Sequence, residues 1–151
     1  MKAVVLYDTM WQSTAKLARA IEEGLIAGGA GVRLMGLHAA HRSEVAYEVL
    51  EAGALVVGSP TLNNNIFPSL ADALTYLKGL RPKNLVGAAF GSYGWGGEAP
   101  KQVAEILDAM QVEQVDAPLR VQYVPDAAAL EAAYELGHKV AARLKEACCG
   151  N

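Results

Sequence analysis

Five short apolar runs alternate with five segments of helical periodicity, and this alternation constrains the fold of the chain more than any other feature. "AVVLY" (3–7) is a β-branched run suited to a strand covered on both faces. In 13–28, Leu17, Ile21 and Leu25 recur at helical spacing and Ala18 widens the stripe, while Lys16, Arg19, Glu22 and Glu23 take the opposite side. "GGAG" (28–31) ends that helix. "VRLMGL" (32–37) reads as a second strand, Ser43 as the cap of a helix over 44–52, and 54–58 as a third strand. Pro68 opens a helix to about residue 79, with Leu70, Ala71, Leu74 and Leu77 on one face. A fourth strand falls near 84–90, and a helix from Pro100 to Met110 buries Val103, Ala104, Ile106 and Leu107. The fifth strand lies within 115–124 and is expected to be irregular, because Pro118 has no N–H for a central ladder. Asp126 caps a last helix whose stripe is Leu130, Ala133, Tyr134, Gly137, Val140, Ala141 and Leu144.

Strand–helix alternation of this kind predicts an α/β fold: a three-layer α/β/α sandwich around a five-stranded parallel sheet, in a single domain over 1–151. Composition agrees. With 151 residues, 52% of them apolar, the chain can bury a substantial core, and a net charge of −3 argues against a nucleic-acid partner. No run approaches the length of a membrane span, and the N-terminus lacks a signal-peptide pattern, so the expected location is the cytoplasm. Cys148 and Cys149 are adjacent and read as reduced thiols on a frayed tail. His38, His41 and His138 are scattered and read as surface residues, and no metal site is expected.

Parallel sheets of this class bind ligands beyond the carboxyl ends of their strands, where the strand order reverses. The segments leaving the first, third and fourth strands are "DTMWQST" (8–14), "SPTLNNNIFP" (59–68) and "GSYGWGGEAP" (91–100). They are rich in hydroxyls, amides, glycines and aromatics, whereas "HAAHR" and "VPDAA" read as plain connectors. In a sheet ordered 2-1-3-4-5 the three rich segments converge on one cleft. The first, residues Thr9, Met10, Trp11, Gln12, Ser13 and Thr14, has no glycine and no basic residue. Its hydroxyls and the amides opening the first helix can still hold a phosphate, since a helix N-terminus favours an anion by about 0.3–2 kcal/mol. It matches neither G-x-x-x-x-G-K-[ST] nor G-x-G-x-x-G, so a monophosphate fits better than a triphosphate or pyrophosphate. Pro60, Thr61, Leu62, Asn63, Asn64 and Asn65 offer an apolar edge and amides, and asparagine tolerates positive φ. Ser92, Tyr93, Gly94, Trp95, Gly96 and Gly97 offer aromatic faces and close backbone approach. A monophosphate at one end and a flat polar ring at the other describe flavin mononucleotide (FMN).

These motifs resemble the flavodoxin-like superfamily, whose members carry a loop of the form T-x-T-G-x-T after the first strand. "TMWQST" occupies that place, with Gln12 where glycine is common. Flavodoxin is itself the standard example of the 2-1-3-4-5 order and of a ligand at its switch point, so that placement follows the fold rule. "YDTMWQST", "SPTLNNNIFP" and "GSYGWGGEAP" together resemble the C-terminal flavodoxin domain of flavodiiron proteins. The resemblance implies an electron-transfer module. A redox partner such as rubredoxin or a flavin reductase would donate, and the diiron centre of an oxygen or nitric oxide reductase would accept. No H-x-E-x-D motif for that centre occurs here, so the chain is expected to be an excised domain or a stand-alone relative, with its oligomeric state open. The alternative is a stand-alone FMN-dependent NAD(P)H:quinone reductase, which ordinarily carries a longer insertion. A receiver domain would need an acidic cluster after the first strand; Asp8 stands alone, and Ser59 ends the third strand.

Overall fold

The computed structural model describes residues 1–149. The elements run β1 (Lys2–Tyr7), α1 (Ser13–Ala27), β2 (Gly31–Gly36), α2 (Arg42–Leu50), β3 (Ala54–Leu62) and β4 (Asn65–Ile66). They continue α3 (Pro68–Leu80), β5 (Val86–Tyr93), α4 (Glu98–Ala109), β6 (Glu113–Gln114), β7 (Leu119–Gln122) and α5 (Ala127–Cys149). The sheet order is β2-β1-β3-β5-β6, with β7 also on β5, and all of these pairs are parallel. That is the expected 2-1-3-4-5 order, in a sheet of seven strands rather than five.

The two extra strands have local causes. The fifth strand is split. β6 pairs with Val86 and Gly87, β7 pairs with Phe90 to Tyr93, and Asp116, Ala117 and Pro118 bridge the gap. Pro118 cannot donate to the ladder, and Asp116 turns its carboxylate onto the Ala117 N–H at 2.8 Å. The other addition is β4, which folds back antiparallel on the end of β3, pairing Thr61 with Ile66 and Leu62 with Asn65. Asn63 and Asn64 form the turn at φ 50° and 61°, the left-handed pair that a type I′ turn requires.

Both faces of the sheet are covered, which is why β1 shows no polar alternation. Val5 packs with Leu17, Ile21, Phe90 and Val140 under α1 and α5, while Val4 and Leu6 pack with Leu55, Leu70, Leu74 and Leu107 on the other side. Each such aliphatic side chain contributes about 1.5–3 kcal/mol by leaving water. α1 and α5 approach until backbone meets backbone. A Cβ on Gly24 would strike the Tyr134 carbonyl, and one on Gly137 would strike the Ile21 carbonyl.

Several boundaries differ from the sequence reading. β3 extends past 58 to Leu62 and β5 past 90 to Tyr93, so parts of two expected loops are strand. α4 starts at Glu98, ahead of Pro100. α2 is capped by His41, whose ring Nδ1 accepts from the Ser43 N–H at 3.2 Å, so the imidazole and not Ser43 supplies the cap. Asp126 does cap α5, accepting from the Ala129 N–H at 2.8 Å. Cys148 and Cys149 lie within α5, exposed and unbridged, so the expected frayed tail is helical to that point.

Candidate functional site

At the carboxyl end of the sheet, where the order turns from β1 to β3, a cavity of about 340 Å³ opens. Met10, Trp11 and Ser13 line it from the first segment, Pro60 and Thr61 from β3, and Ser92, Tyr93, Gly94 and Trp95 from β5 and the loop after it. The three segments therefore converge as expected. Tyr123 and Val124, from the end of the expected fifth strand and the start of the "VPDAA" connector, complete the wall. β7 brings them there: the Tyr123 N–H donates to the Tyr93 carbonyl at 2.8 Å. A larger cavity of about 950 Å³ lies at the other end of the sheet, beside Lys2, Glu51, Lys83 and Glu113, away from the switch point.

The phosphate-side loop is built around an open helix end. Gln12 sits at φ 68° as the N-cap of α1, and no side chain caps the helix. The left-handed conformation explains why glycine is common at this position of the motif: a Cβ there costs about 1–2 kcal/mol. The Lys16 N–H reaches the Gln12 carbonyl, which leaves the amides of Ser13, Thr14 and Ala15 without an acceptor among the described residues. The Thr9 Oγ1 is buried and has no hydrogen-bond partner among the described residues. Thr14 is fully buried and shares a 2.8 Å hydrogen bond with Ser92, tying the start of α1 to the end of β5. Asp8, only 6% exposed, accepts from the Thr9 N–H at 2.8 Å and the Ser69 hydroxyl at 2.6 Å. An orphaned buried hydroxyl and, four residues further on, the unpaired amides that open a helix fit an oxygen-rich anion such as a phosphate.

The other end of the cavity is aromatic. Trp11 is 84% exposed and Trp95 is 94% exposed, so two large apolar faces stand uncovered at its rim. Tyr93 is different. The Arg120 guanidinium lies 5.6 Å from its ring centroid, which occupies one of its faces. Gln122 donates to the Gly94 carbonyl at 3.2 Å and fixes the loop that carries Trp95. At Gly96 a Cβ would run into the Glu98 carboxylate, and at Gly97 into the Arg120 guanidinium. These two glycines make room for neighbouring side chains.

The asparagine run does not line the cavity. Asn63, Asn64 and Asn65 are exposed at the outer end of the β3–β4 hairpin, with half-buried Leu62 beside them, beyond the wall that Pro60 and Thr61 provide. None of the shifted titrations belongs to the site. Lys2, Glu113, Asp116, Lys139 and Arg143 all sit in surface ion pairs.

Comparison with known proteins agrees with this fold. The family model for flavodoxin matches residues 5–137. A nitric oxide reductase of Moorella thermoacetica is 51% identical over 146 residues, 96% of this chain and 37% of that protein. The solved rubredoxin oxygen:oxidoreductase of Desulfovibrio gigas superposes with a TM-score of 0.95 at 44% identity, over 97% of this chain and 37% of that one. The flavodiiron protein of Giardia intestinalis superposes at 0.93 with 32% identity, over 99% of this chain and 37% of that one. The chain thus spans about 37% of the length of these relatives.

Proposed function

The chain belongs to the flavodoxin family, and on that premise we propose that it is an electron-transfer domain, taking electrons from a reduced partner and passing them to an acceptor. FMN is the cofactor of the domain. When bound it supplies the redox chemistry, and the protein supplies binding, orientation and electrostatics. The observation that carries the reading is the open mouth of α1: no side chain caps it, and the buried Thr9 hydroxyl, four residues before its start, has no partner among the described residues.

The hydroxyls of Thr9 and Ser13 and the amides of residues 13–15 would hold the phosphate, with Met10, Trp11 and Gln12 shaping the loop. Thr14 would act through Ser92, keeping the phosphate end and the ring end at a fixed spacing. Trp95 and Trp11 would cover the ring. Their free faces favour them over Tyr93, which Arg120 already covers on one side. Pro60 and Thr61 would border the ring, with the 62–65 turn outside them and Gly94, Gly96 and Gly97 shaping the opposite loop. The phosphate charge would be met by dipoles and neutral donors, which would disfavour adding negative charge nearby and lower the potential of the last reduction.

The relatives' names set the finer proposal. The donor would be a rubredoxin-like protein or a flavin reductase, and the acceptor the diiron centre of an oxygen or nitric oxide reductase. A net charge of only −3 gives weak long-range steering, which suits transfer within one assembly. The test is direct. Purified protein should be yellow, release FMN and not FAD on denaturation, and once reduced pass electrons to a diiron partner domain. A colourless protein that ignores added FMN would overturn the proposal.

A further inference from the structure

We propose that Gln102, a residue outside the cavity, is a positioning residue that clamps the β3–β4 hairpin to α4 and so sets the affinity of the site for the ring end of its ligand. The inference rests on the FMN reading above. The Gln102 side chain makes three contacts to the hairpin. Its Oε1 accepts from the Ile66 N–H at 2.7 Å, and its Nε2 donates to the Asn64 carbonyl at 3.3 Å and to the Asn65 Oδ1 at 3.1 Å. The Ile66 N–H demands an oxygen, which turns the amide nitrogen toward the two acceptors. One turn earlier on α4, the Ala99 N–H donates to the Thr61 Oγ1 at 3.3 Å. Thr61 lines the cavity, so the wall and the clamp belong to one hairpin.

The hairpin gains an external hold from Gln102. β4 has only two residues, so its two-pair ladder on β3 fixes the hairpin tip weakly by itself. Beyond the ladder it is held by the Asn65 amide on the Asn63 carbonyl at 2.9 Å and by the Phe67 N–H, just after β4, on the Ser59 Oγ of β3 at 2.9 Å. α4 follows directly on the loop bearing Trp95, so Gln102 joins two of the three segments that enclose the cavity. A hairpin released from α4 has to be ordered again when a ligand binds, and that cost appears as lost affinity.

The clamp acts on the ring end, away from the phosphate loop, and this gives the test its form. Dissociation constants for FMN and for riboflavin are measured by flavin fluorescence in wild type, Gln102→Ala and Gln102→Glu, alongside melting curves and amide exchange at Ile66. Gln102→Ala should weaken both ligands by about tenfold, the worth of one net hydrogen bond or slightly more, and leave their ratio unchanged. Ile66 exchange should quicken, and the visible circular dichroism of the bound flavin should change. Gln102→Glu keeps the acceptor for Ile66 but sets a carboxylate oxygen against the Asn64 carbonyl and the Asn65 Oδ1, and should weaken both ligands by at least about threefold. Should Gln102→Ala fail to fold, the Glu variant carries the test. Folded variants that bind both flavins within twofold of wild type would overturn the inference, as would a loss confined to FMN. Wild type that binds neither flavin would instead sink the FMN reading, so the two failures are distinguishable.

Discussion

Thr9→Val probes the phosphate loop with opposite signs in the free and the bound protein. The Thr9 hydroxyl is buried with no partner, so the free protein carries the desolvation of an unmade hydrogen bond. Valine has nearly the same shape, its backbone demand is met at this position, and the Thr9 N–H keeps its bond to Asp8. Removing the orphaned hydroxyl should stabilise the FMN-free protein by about 1 kcal/mol, a rise of roughly 2–4 °C in Tm for a chain of this size. Binding should move the other way. A hydrogen bond to a charged group contributes about 1.5–3 kcal/mol, so FMN affinity should fall roughly 10- to 150-fold. Riboflavin lacks the phosphate, and its affinity should stay within about twofold. Calorimetric melting of FMN-free protein and flavin titration give both numbers. A destabilised Thr9→Val variant that loses FMN and riboflavin equally would refute the assignment, because it would make the hydroxyl a structural element of the loop.

Four further outcomes follow from named contacts. Gln12→Gly should change stability by no more than about 1 kcal/mol and retain FMN, since glycine adopts φ 68° freely, whereas Gln12→Val should cost about 1–2 kcal/mol in chemical denaturation. Trp11 and Trp95 are exposed, so FMN-free protein should show red-shifted tryptophan emission that is quenched on adding FMN; Trp95→Ala should weaken FMN and riboflavin alike, by about 2- to 13-fold. Gly137→Val should destabilise by more than about 3 kcal/mol in a melting experiment, because its Cβ would meet the α1 backbone at Ile21. The Arg143 hydrogen bond holds Glu113 below its ordinary 4.5, and the Lys139 hydrogen bond holds Asp116 below 3.8. Lowered carboxylate pKa values stabilise above the unfolded values and are lost as pH falls through the folded ones, so Tm should drop below about pH 4. Both pairs are exposed, and 1 M salt should shrink the part of that drop which Glu113→Gln and Asp116→Asn remove together.

Local signals carried most of the fold. The β-branched run 3–7 and the spacing of Leu17, Ile21 and Leu25 report burial directly, because each side chain answers to one face of its own element. Pro118 announced the break in the fifth strand, since a missing donor is a property of one residue. Pairing was harder to read. That β3 continues to Leu62 and turns back as β4 depends on the Asn63–Asn64 turn, whose left-handed preference was visible but whose partner Ile66 was not.

The site divides along the same line. The 9–14 segment stands out in the sequence because hydroxyls before a helix start have a local meaning: the amides that open a helix lack intrahelical partners. Thr14 shows the limit. Its hydroxyl is spent on Ser92, a residue 78 positions away, and no local pattern distinguishes it from Thr9, whose hydroxyl remains free. Tyr123 and Val124 were missed for a related reason. They reach the cavity only because β7 restarts beyond Pro118 in register with the end of β5, and that register is set by Phe90 to Tyr93, not by anything in "VPDAA". The asparagines differ. Asn63 and Asn64 make a two-residue turn at positive φ beyond the residues that line the cavity, and Gln102 holds Asn64 and Asn65 from α4. A polar residue after a strand end thus has two fates, facing the cavity or holding the wall that forms it. The choice is made by its hydrogen-bond partner on another element, which makes the partners Ser92 and Gln102 as informative about this site as the residues that line it.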